Sequence, residues 1–497
     1  MRFDLLWPHG NDSVSIIEDN AFDDLELFTL FNSVIDYNYN FLMPTIKQIP
    51  SYQTIFFRQA IINDFLNDQV QTFERLKEIL DNLIGLYNKY LEGKNIFYKT
   101  VNFLLFIESY LNFVEEATLI VNSQEFTSHE LNRFKKFLND EGSSKSFALL
   151  KADFMIAYSH FEKIRNFSIY NEPKAIRVSN LSGKIKIEDR LLELANQLKL
   201  EINIYKGGGK KDKLSSQFLE AIVILYQEDY EYLTKFYYQY QNITFELENL
   251  SYEIAYYLFF KTFLEKVSSH HIPLNKVSLN SDGIITFRDV YDITLINNTD
   301  DIIPNDVMLS DSHHIELITG VNSGGKTSYI RSIGVNYILT LMTGYAFCQE
   351  ANIYPIKHLQ THFPNDENFK IGFGRLNDEL ARLDKMSETF SKDALIILNE
   401  TFSSTDENTA FKYTELYLSK LHETKTFCLY VTHQQKIFDC NLPSSVRILS
   451  PMIDLSNNNK RLYKLKIVTD KTSSYTYDIL YKYGLTKDQL NKRLGGK

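Results

Sequence analysis

The chain has 497 residues, 44% of them hydrophobic and 23% charged, with a net charge of −10. That length exceeds a single core and predicts two or three domains of ordinary globular composition. An acidic chain does not coat nucleic acid by bulk attraction, so any such contact must come from local basic surface. Cys348, Cys428 and Cys440 are odd in number and lack metal-ligand spacing, which predicts free thiols rather than a disulfide scaffold or a zinc site.

The first residues, through Trp7, acquire an acid at Asp4 and lack a long apolar core, so no signal peptide is expected. The apolar run Phe103–Ile107 is closed by Lys99 and Glu108, and no segment reaches membrane-spanning length. A cytoplasmic protein without a membrane partner is the expectation. Between Pro50 and Pro173 there is no proline, and Phe73, Leu76, Leu80, Leu83 and Tyr87 step by three and four along one helix face. These side chains read as bundle core.

Residues 168–213 interrupt the helical pattern and predict a small clamp-like or loop insertion. Ala175–Val178 and Lys184–Ile187 alternate like short strands. The basic loop that follows carries Lys206, Lys210, Lys211 and Lys213, which read either as a solvated surface or as a nucleic-acid phosphate contact. From Leu214 to Ile272 neither Gly nor Pro occurs; an unbroken helix would extend roughly 80 Å, while Asn242 or Ser251 could divide it into two. Pro273 ends the helical half. The expected organisation is an α-helical core or lever domain over 1–272 and an α/β domain with a mostly parallel sheet over 273–497, opening with strands near Val277–Leu279 and Gly283–Phe287. His313 and His314 read as edge-strand surface.

Within the second half, an apolar run ending at Thr319 enters Gly320, Val321, Asn322, Ser323, Gly324, Gly325, Lys326 and Thr327, followed from Ser328 by a helix-compatible segment. This is the P-loop pattern in its strand–loop–helix setting. Its backbone amides would close around a β-phosphate at a helix N-terminus, Lys326 would reach the β- and γ-phosphates, and the Thr327 hydroxyl would hold Mg²⁺. ATP and Mg²⁺ are the expected ligands. Downstream, the buried-strand run Ala394–Leu398 ends in Asn399 and Glu400. Glu400 is placed to polarise an attacking water, and Asn399 stands where a metal-anchoring aspartate would, so slow hydrolysis is expected. The next strand, Thr426–Val431, delivers His433 to the same edge to sense the γ-phosphate or orient the water.

These residues resemble the MutS family, the ABC-type ATPases of DNA mismatch repair. The segment from Thr319 to Thr327 is similar to that family's T-G-P-N-M-G-G-K-S-T, and Ile303–Asp306 to its V-P-N-D. Gly344–Ala351, Leu398–Asp406, Thr432–His433, Arg461–Leu465 and Ser473–Leu485 resemble further family segments in the same order. Asp23–Leu27 and Phe57–Ile61 resemble the start of its core and lever domains. The resemblance implies an ABC-type ATPase and a composite site in which a signature segment of one subunit completes the pocket of another. That segment aligns with Gly374, Arg375 and Glu379, with Gly374 where the family has serine; Asp406 falls in the subunit-crossing loop. The family's mismatch-reading and connector domains find no counterpart. A homodimer, or a heterodimer with another MutS-like chain, is implied. Three readings stay open: a nucleotide-gated clamp on mismatched, branched or unselected DNA; a weakly hydrolysing scaffold for a protein partner; and a ribosome- or RNA-directed ATPase.

Overall fold

The computed structural model describes residues 4–68, 70–93, 96–165, 169–172, 175–178, 226–243, 248–320, 323–364, 373–402, 405–439, 441–454, 460–468, 489–490 and 493. They form two compact units: Asp68–Ile254, and Asp4–Asn67 together with Ala255–Lys497.

The first unit is helical, with α5 (Thr72–Glu92), α6 (Ile96–Asn122), α7 (His129–Gly142), α8 (Lys145–Arg165) and α9 (Gln227–Tyr240). Phe73, Leu76, Leu80 and Leu83 are buried, as their spacing predicts, and Tyr87 meets Phe106 at 5.1 Å between ring centroids. The abundant aromatics serve as packing: Phe103 contacts Tyr90 at 5.1 Å and Tyr237 at 5.4 Å. Asp229 ties α9 to α8 by accepting from Lys163 Nζ at 2.8 Å. The long stripe after Leu214 is not one rod among the described residues: α9 ends at Tyr240, a turn covers Gln241 and Asn242, and α10 runs from Glu248 to Ser268. In the inserted region, β3 (Ile169–Glu172) pairs with β4 (Ala175–Val178). The expected strand at 184–187 and Lys206, Lys210, Lys211 and Lys213 lie outside the described residues.

The second unit corrects the expected boundary at 272/273. Residues 4–67, carrying β1 (Ser15–Ile16), α1 (Asp19–Asp24), α2 (Leu27–Val34), α3 (Met43–Ile46), β2 (Gln48–Ile49) and α4 (Tyr52–Leu66), pack with the α/β part. Its main sheet has six strands in the order β12 (His358–His362), β13 (Ala394–Asn399), β14 (Phe427–Val431), β9 (Ile315–Ile318), β15 (Val446–Asp454) and β16 (Lys460–Ile467). All neighbours are parallel except β15 and β16. Every residue of β9, β13 and β14 is buried, which is why these strands read as continuous apolar runs. A second sheet joins β6 (Ser278–Leu279), β11 (Glu350–Ile353), β7 (Ile285–Val290) and β8 (Asn305–Leu309), and β5 (Asn275–Lys276) pairs with β10 (Tyr345–Ala346).

Helix α11 (Lys326–Thr343) follows β9 and is buried nearly throughout. A Cβ at its Gly334 would lie 2.7 Å from Leu25 and 2.8 Å from Ile397, so glycine lets the amino-terminal segment and the sheet meet against the same face of the helix. The same segment reaches α11 through Arg331, paired with Glu26 at 2.7 Å. His314, expected at the surface, is instead buried, and its ring stacks on His422 at 6.0 Å. Cys348 and Cys428 are buried free thiols; burial pushes Cys348 up to about 12 and Cys428 higher still. Among the described residues no helix is long and apolar enough to cross a membrane.

Arg58 shows how residues 4–67 are held. Fully buried, its guanidinium lies 4.3 Å from the Trp7 ring and 5.3 Å from that of Tyr256. Its Nε donates to Leu6 O at 3.1 Å and its Nη1 to the Tyr256 hydroxyl at 3.2 Å, which donates in turn to Met342 O of α11 at 3.1 Å. Arg58→Ala is expected to destabilise this unit by about 2–5 kcal/mol through lost contacts and a buried cavity. Trp7 is the sole tryptophan, so urea unfolding followed by its emission checks this; an unshifted midpoint with unchanged emission would contradict it.

Candidate functional site

Three loops leave the carboxyl edge of the main sheet together. Val431 of β14 pairs with Ile318 of β9 on one side and Asn399 of β13 on the other. The segments after these residues therefore emerge at one level: Thr319–Gly320, Glu400, and Thr432–His433.

The glycine-rich turn after β9 can be built only with glycine at its first position. Gly320 has φ +131°, and a Cβ there would meet Ser450 Oγ at 2.7 Å. Gly325, at φ +92°, closes the turn against Tyr463 and caps α11. Val321 and Asn322 lie outside the described residues. Lys326 turns back and donates through Nζ to Gly320 O at 2.8 Å. Burial lowers its ammonium to about 8, opposed by the nearby Glu400 carboxylate and reinforced by Arg461.

A cavity of 680 Å³ opens in front of this turn. Ser323, Gly325, Lys326, Thr327 and Ser328 form one wall with Glu400, and Asp292, Leu295, Asp301, Ile302, Ile303 and Tyr463 form much of the rest. The latter group was not legible as site residues. Tyr463 is a tyrosine in a late strand, and its place over Gly325 follows only from β16 joining the sheet edge.

His433 Nε2 lies 2.7 Å from Glu400 Oε1. Nε2–H donates to the carboxylate, and Nδ1 is buried without a hydrogen-bond partner among the described residues. His433 Nε2 is thus engaged by the Glu400 carboxylate in this structure. Asn399 is 8% exposed, and its Oδ1 is likewise buried and unpartnered among the described residues. A spare acceptor at this strand edge, with the Thr327 hydroxyl on the cavity wall, fits the water shell of a Mg²⁺ ion.

Beneath the turn, Glu316 of β9 is buried and accepts from the Tyr329 hydroxyl of α11 at 2.7 Å, with Arg447 Nη2 at 3.4 Å. It fastens the first turn of α11 to the strand that feeds it. Burial pushes this carboxyl up to about 7.

The match to a known family falls on this half of the chain. Residues 316–483 match MutS domain V. DNA mismatch repair protein Msh3 of Mus musculus is 30% identical over 141 residues, covering 28% of this chain and 13% of that protein. The MSH3 of Arabidopsis thaliana is 26% identical over 203 residues, 40% and 18% of the two chains. Human Msh3 is 30% identical over 142 residues, 28% and 12%. Over residues 316–483 the chain carries a MutS-family domain. The matched segments span less than a fifth of these relatives' own length. MutS domain V is the family's ATPase domain, and its match begins at Glu316, on the strand that leads into the glycine-rich turn.

The signature positions of the MutS resemblance lie on or beside two helices. Gly374 and Arg375 fall in α12 (Phe373–Ser387), and nothing is described of their side chains. Glu379, on the same helix, is engaged within its own chain: Oε1 accepts from the Phe402 amide at 2.8 Å and lies 3.2 Å from His362 Nε2. Asp406 caps α13 (Glu407–Glu423), accepting from the amides of Asn408 and Thr409 at 3.1 Å each. Hydrogen bonds from Thr409 and Asn408 hold its carboxyl below the ordinary range.

Glu316 supplies a stability test. Its folded value lies near 7 against an ordinary 4.5, so its contribution is fully present below pH 4.5 and is lost as pH rises through 7. Glu316→Gln is expected to remove a decline of roughly 2–4 kcal/mol between those limits. Urea unfolding at pH 5 and pH 8 measures it, and equal slopes in both proteins would refute the assignment.

Proposed function

We propose that this MutS-family chain binds ATP with Mg²⁺ at the glycine-rich turn and hydrolyses it slowly, as a nucleotide-gated dimer acting on DNA. The observation that carries the reading is Glu400, which lines the same cavity as Lys326 and Thr327 and lies 2.7 Å from His433 Nε2. The relatives named as DNA mismatch repair proteins support a repair-type role on mismatched, branched or unselected duplex DNA.

In this reading, the triphosphate takes the amides at the N-terminus of α11 and draws Lys326 from Gly320 O onto its β- and γ-phosphates. Glu400 accepts a proton from the attacking water, while His433 Nε2–H keeps the carboxylate aimed. Thr327 and Asn399 would hold the Mg²⁺, which supplies charge neutralisation at the phosphates. Because Asn399 is neutral, the ion is retained less tightly than by an aspartate, which makes turnover slow. Asn399 also favours a second reading, a nucleotide-gated scaffold that binds ATP but scarcely hydrolyses it and serves a protein partner or a sister MutS-like chain.

Steady-state hydrolysis, alone and with duplex or branched DNA at low salt, separates the two. Turnover stimulated by DNA, and reduced at least about 100-fold in Glu400→Gln with ATP binding retained, is the expected result. ATP binding without turnover would move the assignment to the scaffold.

Lys326→Ala is expected to weaken ATP binding by about 10- to 100-fold, since it removes charge-assisted hydrogen bonds to the phosphates. Affinity in the wild type should fall as pH rises past about 8, where the buried lysine loses its proton. The fall is up to about tenfold per pH unit and vanishes in the alanine variant. Fluorescent-nucleotide titrations from pH 7 to 9 check both, and a flat wild-type profile would contradict the role of Lys326.

A further inference from the structure

We propose that Glu379 is a positioning residue for Glu400, acting within one chain by holding the backbone turn on which the carboxylate is mounted. The proposal rests on the reading of Glu400 as the water-polarising group.

Glu400 and Phe402 both have left-handed backbone, with φ +50° and +61°. Neither is glycine, and two such residues on either side of Thr401 persist only where the surroundings over-determine them. Three tethers do so here. The Glu400 amide donates to Val431 O at 2.9 Å, continuing the sheet. Thr401 Oγ1 hydrogen-bonds the buried Tyr430 hydroxyl. The Phe402 amide donates to Glu379 Oε1 at 2.8 Å.

Of the three, the last is charge-assisted and comes from outside the sheet, from α12. The same oxygen accepts from His362 Nε2 at 3.2 Å, at the carboxyl end of β12. One carboxylate oxygen thus joins a helix, a strand end and the catalytic turn. The Glu379 side chain is only 15% exposed, so water is a poor substitute for it. Phe402 is buried against Tyr413, with ring centroids 5.4 Å apart. Its side chain therefore pins one end of the turn, while its amide needs an acceptor in a place water does not readily reach. Without that acceptor the turn relaxes from its left-handed form and carries Glu400 away from His433.

The role depends on an acceptor at a given reach, not on charge. Glu379→Gln keeps a carbonyl oxygen at the same distance, Glu379→Asp falls one methylene short, and Glu379→Ala removes the group. The expected kinetics are a fall in kcat of about 10- to 100-fold for Asp and Ala, with KM for ATP within about twofold, and Gln within about threefold of wild type. Hydrogen–deuterium exchange of residues 400–402, without nucleotide, should accelerate in Asp and Ala and stay at the wild-type rate in Gln. If Ala does not fold, Asp decides. Turnover in Asp and Ala equal to wild type would overturn the proposal, as would Gln as impaired as Ala, or a rise in KM alone. Should the wild-type protein not hydrolyse ATP, the role of Glu400 fails on its own account, and exchange alone then tests the tether. Equal protection of the turn in wild type, Asp and Ala would then overturn it.

Discussion

The site depends on one register: Val431 pairs with both Asn399 and Ile318 in a parallel sheet. Parallel strands that end at the same level place all their following loops on one edge, where open α/β sheets bind ligands. A slip of one residue along β13 would move Glu400 by about 3.3 Å relative to His433, more than the whole 2.7 Å hydrogen bond between them. The register is secured by burial on both faces. Leu317, Ile396, Leu398 and Tyr430 lie in one core with Phe402, Leu418 and Leu421, so sliding any strand would expose or bury the wrong side chains along its length.

That burial also explains the chemistry at the edge. Lys326, Glu316 and Asn399 all lie in surroundings that penalise charge or an unpaired polar atom. The fold answers two of them locally: a loop carbonyl for Lys326, a tyrosine and an arginine for Glu316. Asn399 Oδ1 has no such answer. Sites that leave a buried polar atom unmatched are where a protein keeps capacity for a ligand.

The glycine-rich turn was legible because its glycines are backbone requirements, visible in the letters themselves: Gly320 has no room for a Cβ. The strands around Glu400 and His433 were legible because buried parallel strands read as apolar runs. The domain boundary was not. Residues 4–67 join the α/β unit through contacts such as Thr361 Oγ1 donating to Asp24 Oδ2 at 2.6 Å and Gln59 Nε2 donating to Gly344 O at 2.6 Å. Partners some three hundred residues apart leave no periodic trace. Glu379 was legible as a matched letter but not in its bonds, because its partner is a backbone amide, which every residue but proline carries. His314 was misread for a related reason: its burial comes from stacking on His422, an element the local pattern does not contain.

The neutral residue at position 399 fits this picture of local compensation. In the protein without nucleotide, Lys326 carries one positive charge, and Glu400 is the carboxylate that raises its proton affinity. A second carboxylate at position 399, as buried as Asn399 is, would need a cation of its own at all times, and removing one partner of such a buried pair is costly. With an amide there, the strand edge adds no second buried negative charge beside Glu400. In the proposed function, Mg²⁺ then has reason to arrive with the triphosphate, whose oxygens supply the charge that the strand edge lacks. In the proposed function, the amide that slows hydrolysis is thus also the group that spares Lys326 and Glu400 a second buried carboxylate beside them.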